Sequence, residues 1–203
     1  MDLSFCLAEN QLAYLARVII FRMFQLAVLI SGRGSNLQAI QKNIESGILL
    51  GKAQIAIVIS SKENAAGLSF AGEHGLRTAV CPAEKDVLAE LEKYPIDLIC
   101  LAGYMRVLSA EFVNKHAGKI INIHPTLLPK HPGLHVHEKV LAAGDTESGC
   151  TVHYVDAGVD TGKIIAQRKA PVLPGDTPDT LAARVLEQEH ILYSEVILQL
   201  CKK

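Results

Sequence analysis

Three observations predict an α/β fold built on a doubly wound, mostly parallel sheet with antiparallel strands toward the C-terminus. From Gln25 onward, apolar runs of strand length alternate with segments of helix length. A glycine-bearing turn, SGRGSNLQ, follows the first apolar run and leads into a helical pattern. Near the C-terminus, two apolar runs are separated only by a short Gly- and Asp-bearing turn, and a long helical segment closes the chain.

The elements follow in order. Gln25–Ser31 is a strand, Asn36–Ser46 a helix, Ala53–Ser60 a strand and Ala65–His74 a helix. Next come a short strand at Thr78–Val80, a helix over Lys85–Lys93, a strand in DLICLAG and a helix over Ser109–His116. The run KIINI, beginning at Lys119, is the strand that Pro125 terminates. Glu138–Ala143 reads as helical, and CTVHYVD and KIIAQRKAPV read as the antiparallel pair. Thr177 caps the last helix and Pro178 occupies its first position. Leu181, Val185, Leu192, Val196 and Leu200 give that helix an apolar face.

With 203 residues, 49% hydrophobic and 20% charged, the chain is long and apolar enough for one substantial core. Twenty Lys and Arg against 21 Asp and Glu give a net charge of -1, which argues against binding a nucleic-acid backbone. Five cysteines without a CxxC pair suggest neither a disulfide framework nor a zinc cage. They read as small hydrophobes in a reducing, cytoplasmic setting. Residues 1–22 are apolar, but Arg17 and Arg22 interrupt them too soon for a membrane span, and they lack a secretory pattern. We read them as an N-terminal extension, with a single working domain over residues 23–203; an amphipathic surface or partner-binding helix is the alternative.

Chemistry concentrates in NIHPTLLP, Asn122 to Pro129. Strand side chains alternate with period two, so Asn122 and His124 point to the same side. An amide N–H donor beside an imidazole at a strand's C-terminal end suits acyl chemistry: one group steadies an oxyanion and the other moves a proton. The segment VHYVDAGVDTG adds His153, Asp156 and Asp160 as candidates. A carboxylate near His124 would favour its imidazolium form and raise its pKa. Taken alone, Asp160 reads equally as a turn residue and His153 as a half-buried strand histidine.

The first loop matches the dinucleotide fingerprint only in part, because Leu37 occupies the third glycine position and no acidic residue ends the second strand. A phosphomonoester therefore fits better than NAD or ATP, with Ser35 and Asn36 as possible side-chain donors. A simple Gly turn capped by Asn or Ser explains the same residues. The histidines His131, His135 and His137 invite a metal reading, but their loose spacing and the absence of a completing acid or cysteine favour a mobile active-site loop.

Four motifs, SGRGSNLQ, LAGYMRVLS, NIHPTLLPKHPGLH and HYVDAGVDTG, occur in this order. Together they resemble the phosphoribosylglycinamide formyltransferase family over roughly Met23 to the C-terminus. The resemblance implies transfer of a formyl group from 10-formyltetrahydrofolate, a co-substrate, to the amine of 5'-phosphoribosylglycinamide in purine biosynthesis, without metal or nicotinamide. It implies a catalytic set in which Asn122 and protonated His124 stabilise the tetrahedral oxyanion while Asp160 holds His124 charged and assists proton transfer through water, with Gly34, Ser35, Asn36 and Glu189 on the nucleotide substrate. Met105, Arg106, Val107 and Leu108, with Asn122, would line the folate. Small-molecule substrates and a monomer or homodimer are expected, with no membrane or nucleic-acid partner.

The chain departs from the family pattern in several places. The stretch after Cys81 is short and lacks an arginine expected near the folate tail, where Lys85 is the candidate substitute. Thr126 replaces a common serine and keeps its hydroxyl. Lys119 replaces a frequent arginine and loses its bidentate fork. Two related activities share the central residues: formyltetrahydrofolate deformylase, in which water attacks the formyl group, and methionyl-tRNA formyltransferase. A non-catalytic sensor of a phosphate ligand is a reading of a different class, and the Asn122, His124 and Asp160 set argues against it.

Overall fold

The computed structural model describes residues 22–202. The strands are β1 (Phe24–Ile30), β2 (Ala53–Ser60), β3 (Thr78–Val80), β4 (Leu98–Leu101), β5 (Ile120–His124), β6 (Glu147–Tyr154) and β7 (Ile164–Pro171). The helices are α1 (Ser35–Ser46), α2 (Ala66–Glu73), α3 (Glu84–Leu91), α4 (Ala110–Lys115), α5 (Val136–Ala142) and α6 (Pro178–Leu200). They form one seven-stranded sheet in the order β3-β2-β1-β4-β5-β6-β7. Neighbours from β3 through β5 are parallel, while β5 with β6 and β6 with β7 are antiparallel. The predicted α/β architecture, including the C-terminal helix, is the one observed.

Each face of the sheet has its own core, because alternate residues of one strand serve opposite faces. Leu26, Val28 and Ile30 pack with Leu37 and Ile40 of α1, Val140 of α5 and the apolar stripe of α6. Ala27 and Leu29 pack on the other face with Val87 and Leu91 of α3 and Phe112 and Val113 of α4. The five α6 residues predicted to face inward are all buried. The α6 start is a capping box in which the Thr177 side chain accepts from the Thr180 N–H, with Pro178 in the first turn. Fully buried Tyr193 places its hydroxyl within donor reach of the Leu101 and Ile121 carbonyls at 2.9 and 3.2 Å, which ties α6 to β4 and β5.

Most element ends differ from the sequence expectation by one or two residues, and two differences bear on the packing. β6 begins at Glu147 rather than Cys150, since Ser148 and Gly149 pair with Ala170 and Lys169 of β7 despite their low strand propensity. Arg22, assigned to the extension, reaches Asp97 at 3.1 Å and the Pro95 carbonyl at 2.8 Å. The remainder of that extension, residues 1–21, lies outside the described residues.

This topology locates the site. The chain winds outward from β1 through β2 to β3, then returns to the other side of β1 for β4 and β5. The loops after β1 and β4 consequently leave in opposite directions and open a crevice at the C-terminal ends of the strands. Ser31 spans it: its hydroxyl contacts the Ser61 hydroxyl at 2.7 Å and accepts from the Met105 N–H at 2.8 Å.

Candidate active site

The first wall is the β1–α1 loop. Gly34 has φ of 73°, in the left-handed region, and an added β-carbon would lie 2.9 Å from Gly67 Cα. Glycine is thus required twice, once for conformation and once for the close approach of α1 and α2. Leu37, the misfit to the dinucleotide fingerprint, is fully buried in the core. No side chain caps the α1 N-terminus and no acidic residue lies in its first turn. Its first N–H groups and the positive end of the helix dipole are therefore left for an anion.

Asn36 does not supply the side-chain donor expected of it there. Its amide is turned inward, and Nδ2 donates to Glu189 Oε2 at 2.7 Å. Glu189 itself is buried, not the solvated helix charge that its sequence context also permits. Burial pushes its carboxyl up to about 7, although the Asn36 hydrogen bond pulls the other way. Asn36 and Glu189 thus form a buried polar pair behind the loop, and Asn36 can serve an anion only through its backbone N–H.

The second wall follows β4. Met105 and Val107 are 66% and 79% exposed, and Arg106 is exposed between them. Leu108, expected beside them, instead packs into the core that includes Phe112 and Val113. The α4 cap explains this turn inward: Ser109 accepts from the Phe112 N–H at 3.1 Å, while its own N–H donates to Glu84 at 2.7 Å. Lys85 is an exposed neighbour of Glu84 at the start of α3.

The reacting groups meet at the C-terminal end of β5. His124, only 4% exposed, places Nδ1 3.2 Å from Asp160 Oδ2. Its Nε2 lies 3.0 Å from the His131 carbonyl. Asn122, on the same side of the strand, directs Nδ2 toward His153 Nε2 at 3.3 Å and Asp160 Oδ1 at 3.5 Å. Gly133 donates its N–H to Asp160 Oδ2 at 2.9 Å. The sequence-predicted trio is therefore a contiguous cluster.

Asp160 has φ of 56°, a left-handed conformation uncommon for a residue with a β-carbon. Gly162 makes the turn possible, because a β-carbon there would collide with the Tyr154 carbonyl. Asp156, the third polar candidate of the segment, accepts instead from the Gly158 N–H and the Thr161 hydroxyl and shapes the turn locally.

His153 belongs to the cluster, although its sequence context suggested a strand histidine with a structural role. Asn122 and His153 are register partners across β5 and β6, so their side chains share a face. His153 Nδ1 lies 2.8 Å from the Tyr154 carbonyl, which can only accept, so Nδ1 carries a proton. In the neutral ring, Nε2 is then free to accept from Asn122. The signal that identifies His153 is strand register, which alternation alone does not supply.

The electrostatics correct one expectation. Asp160 does raise the His124 pKa, as does the His131 carbonyl, but burial is the larger effect and the net direction is down. For Asp160, burial acts to raise the pKa, yet the close approach of His153 at 3.6 Å, the hydrogen bond from the Gly133 N–H and the neighbouring His124 outweigh it and hold the carboxyl low. The resting site thus pairs an ionised carboxylate with an imidazole biased toward neutrality. Both His124 nitrogens nevertheless face acceptors, so an imidazolium formed during reaction would find both of its N–H groups received.

The other loop histidines go separate ways. His131 Nε2 lies 2.7 Å from Asp145 Oδ2, and His135 is largely exposed with Glu138 at 3.6 Å. Among the described residues, no group of three or more His, Cys, Asp or Glu side chains is placed to hold a metal ion. No helix among them is long and apolar enough to cross a membrane.

The formyl transferase family model matches residues 24–197. The phosphoribosylglycinamide formyltransferase of Escherichia coli K12 is 42% identical over 181 residues, covering 85% of this chain and 84% of that protein. A trifunctional purine biosynthetic protein adenosine-3 of Drosophila pseudoobscura pseudoobscura is 47% identical over 90% of this chain, which spans only 14% of that much longer protein. The crystal structure of phosphoribosylglycinamide formyltransferase from Anaplasma phagocytophilum superposes with a TM-score of 0.84 at 40% identity, over 89% of this chain and 88% of that one. With the matched fold, the clustered trio and similarity over most of its length, the chain belongs to the formyl transferase family, alongside the phosphoribosylglycinamide formyltransferases.

Proposed function

We propose that this chain transfers the formyl group of 10-formyltetrahydrofolate to the amine of 5'-phosphoribosylglycinamide, a step of de novo purine biosynthesis. The observation that carries the reading is the convergence of Asn122, His124 and Asp160 at the end of β5. The family membership and the uncapped α1 N-terminus support it.

In this reading the nucleotide phosphate is held by the N–H groups of Gly34, Ser35 and Asn36, and Glu189 reaches the ribose hydroxyls. The folate lies along Met105, Arg106 and Val107, with Leu108 contributing main chain. The amine nitrogen attacks the formyl carbon, a C–N bond forms, and the carbonyl electron pair moves onto oxygen. Asn122 donates to that oxyanion. Its resting contacts at 3.3 and 3.5 Å are long, so an N–H can be redirected at small cost.

The proton released as the amine becomes an amide passes through a water held at Asp160 to His124, and the resulting imidazolium is held between Asp160 and the His131 carbonyl and faces the oxyanion beside Asn122. Collapse of the intermediate breaks the bond to the folate nitrogen, which receives one proton. One proton leaves the amine and one arrives on the folate, so the step balances without metal or redox chemistry. A direct test follows tetrahydrofolate formation with purified protein, with and without glycinamide ribonucleotide. Amine-dependent turnover yielding formylated nucleotide is expected. Equal folate turnover without the amine indicates a hydrolase, and nucleotide binding without turnover indicates a sensor; either result overturns the proposal.

A further inference from the structure

The loop that follows β5 is held by a residue outside the catalytic trio. Asp145, in the turn between α5 and β6, receives His131 Nε2 on Oδ2 at 2.7 Å and Lys130 Nζ on Oδ1 at 3.0 Å. His131 has φ of 52°, so a side chain sits on left-handed backbone that needs an external hold. The same residue's carbonyl contacts His124 Nε2 at 3.0 Å, and the Thr126 hydroxyl donates to the Lys130 carbonyl at 2.9 Å with the His131 carbonyl 3.3 Å away. Two residues further on, the Gly133 N–H meets Asp160 Oδ2 at 2.9 Å.

We propose that Asp145 is a positioning residue for His124: by clamping the His131 side chain, it sets the carbonyl of residue 131 and the N–H of residue 133 that orient His124 and Asp160. The path is continuous, from Asp145 to the His131 ring, through its backbone carbonyl to His124, and through Gly133 to Asp160. Four contacts of 2.7 to 3.2 Å make it up. Asp145 contacts none of the reacting groups itself. Losing the clamp frees the loop to leave its left-handed conformation, and His124 then loses the acceptor on Nε2 that defines its ring orientation.

Neighbouring groups separate this role from general loop stability. Lys130 contacts the same carboxylate from solvent, and its loss leaves the His131 contact intact. Lys139 Nζ holds the Pro132 carbonyl at 3.0 Å independently of Asp145. The buried side of the loop is secured elsewhere, because the Thr151 hydroxyl donates to the Thr126 carbonyl at 2.6 Å and accepts from the Leu128 N–H at 3.0 Å. The fold around NIHPTLLP therefore survives removal of Asp145, and only the 131–133 segment is released.

The inference rests on the reading of His124 as a participant in formyl transfer, and its test has a readout that needs no turnover. In the full chain, the imidazole nitrogen resonances of His124 are compared by NMR in wild type, Asp145→Ala, Asp145→Asn and Lys130→Ala, beside kcat, KM and thermal midpoint. Displaced by as little as 1 Å, a catalytic group costs about 100-fold, so Asp145→Ala should lower kcat roughly 10- to 100-fold. Its KM values and midpoint should stay near wild type, and its His124 resonances should shift. Asp145→Asn keeps an acceptor for His131 and should fall between, while Lys130→Ala should match wild type. Unmoved His124 resonances in Asp145→Ala, or a kcat loss that only follows loss of folded protein, overturn the proposal. Absence of transferase activity in the wild type would sink the functional reading alone, since the resonance shift still reports the clamp.

Discussion

Asp160 presents one carboxylate oxygen both to His124 Nδ1 at 3.2 Å and to the Gly133 N–H at 2.9 Å. One residue thereby fixes the ring's partner and its own place in the loop. Asp160→Asn retains the shape and loses the charge that receives the imidazolium. Turnover should fall roughly 100-fold or more, the range of a lost general acid–base partner. A kcat at neutral pH equal to that of wild type would contradict this role.

Asn122 is tested independently through the oxyanion. One lost donor costs about 3 kcal/mol of transition-state stabilisation, so Asn122→Ala should lower kcat by roughly 100-fold or more. Substrate KM and thermal midpoint should change little, because the long contacts to His153 and Asp160 add little to the ground state. A variant that loses affinity and keeps kcat would place Asn122 in substrate binding instead.

The direction of the His124 shift fixes the acid side of the pH profile. Burial, the largest influence, holds its pKa below 6.5, so the neutral ring persists as pH falls through that value. Since the reaction uses the neutral ring as proton acceptor, kcat/KM should decline only below 6.5. Asp160 opposes the shift, and Asp160→Asn should move the decline to still lower pH. An NMR titration placing the His124 pKa in the free protein above 6.5 would refute this.

Glu189 makes stability depend on pH in the opposite sense from an ordinary carboxylate. Its folded pKa, about 7, lies above its ordinary 4.5, so the folded state binds more protons between those values. The stabilisation is fully present below 4.5 and is lost as pH rises through 7, by an amount on the order of 3 kcal/mol. Urea unfolding at pH 5 and pH 8 should show wild type losing stability relative to Glu189→Gln across that interval. Parallel curves for the two proteins would mean that the carboxyl is solvated.

Gly34 carries the anion loop and should not accept a side chain. Left-handed backbone costs alanine roughly 1–2 kcal/mol, and the contact with Gly67 Cα adds to it. Gly34→Ala should lower unfolding free energy by about 2 kcal/mol or more and raise the KM for the nucleotide. Unchanged values of both would remove Gly34 from the loop's design.

Much of this protein is legible one residue at a time. Period-two and helical apolar patterns mark the strands and helices because burial on each element repeats with its backbone geometry. Thr177 and Pro178 announce the last helix through local backbone chemistry. The shared side of Asn122 and His124 comes from strand alternation alone. Features set by distant packing are not written locally. The carboxylate that faces His124, the entry of His153 through β5–β6 register, and the inward turns of Leu108 and Asn36 are decided when separated segments meet. The His124 pKa belongs with them: a carboxylate partner raises it, but the degree of burial determines the net direction, and burial exists only once the whole chain has closed around the ring.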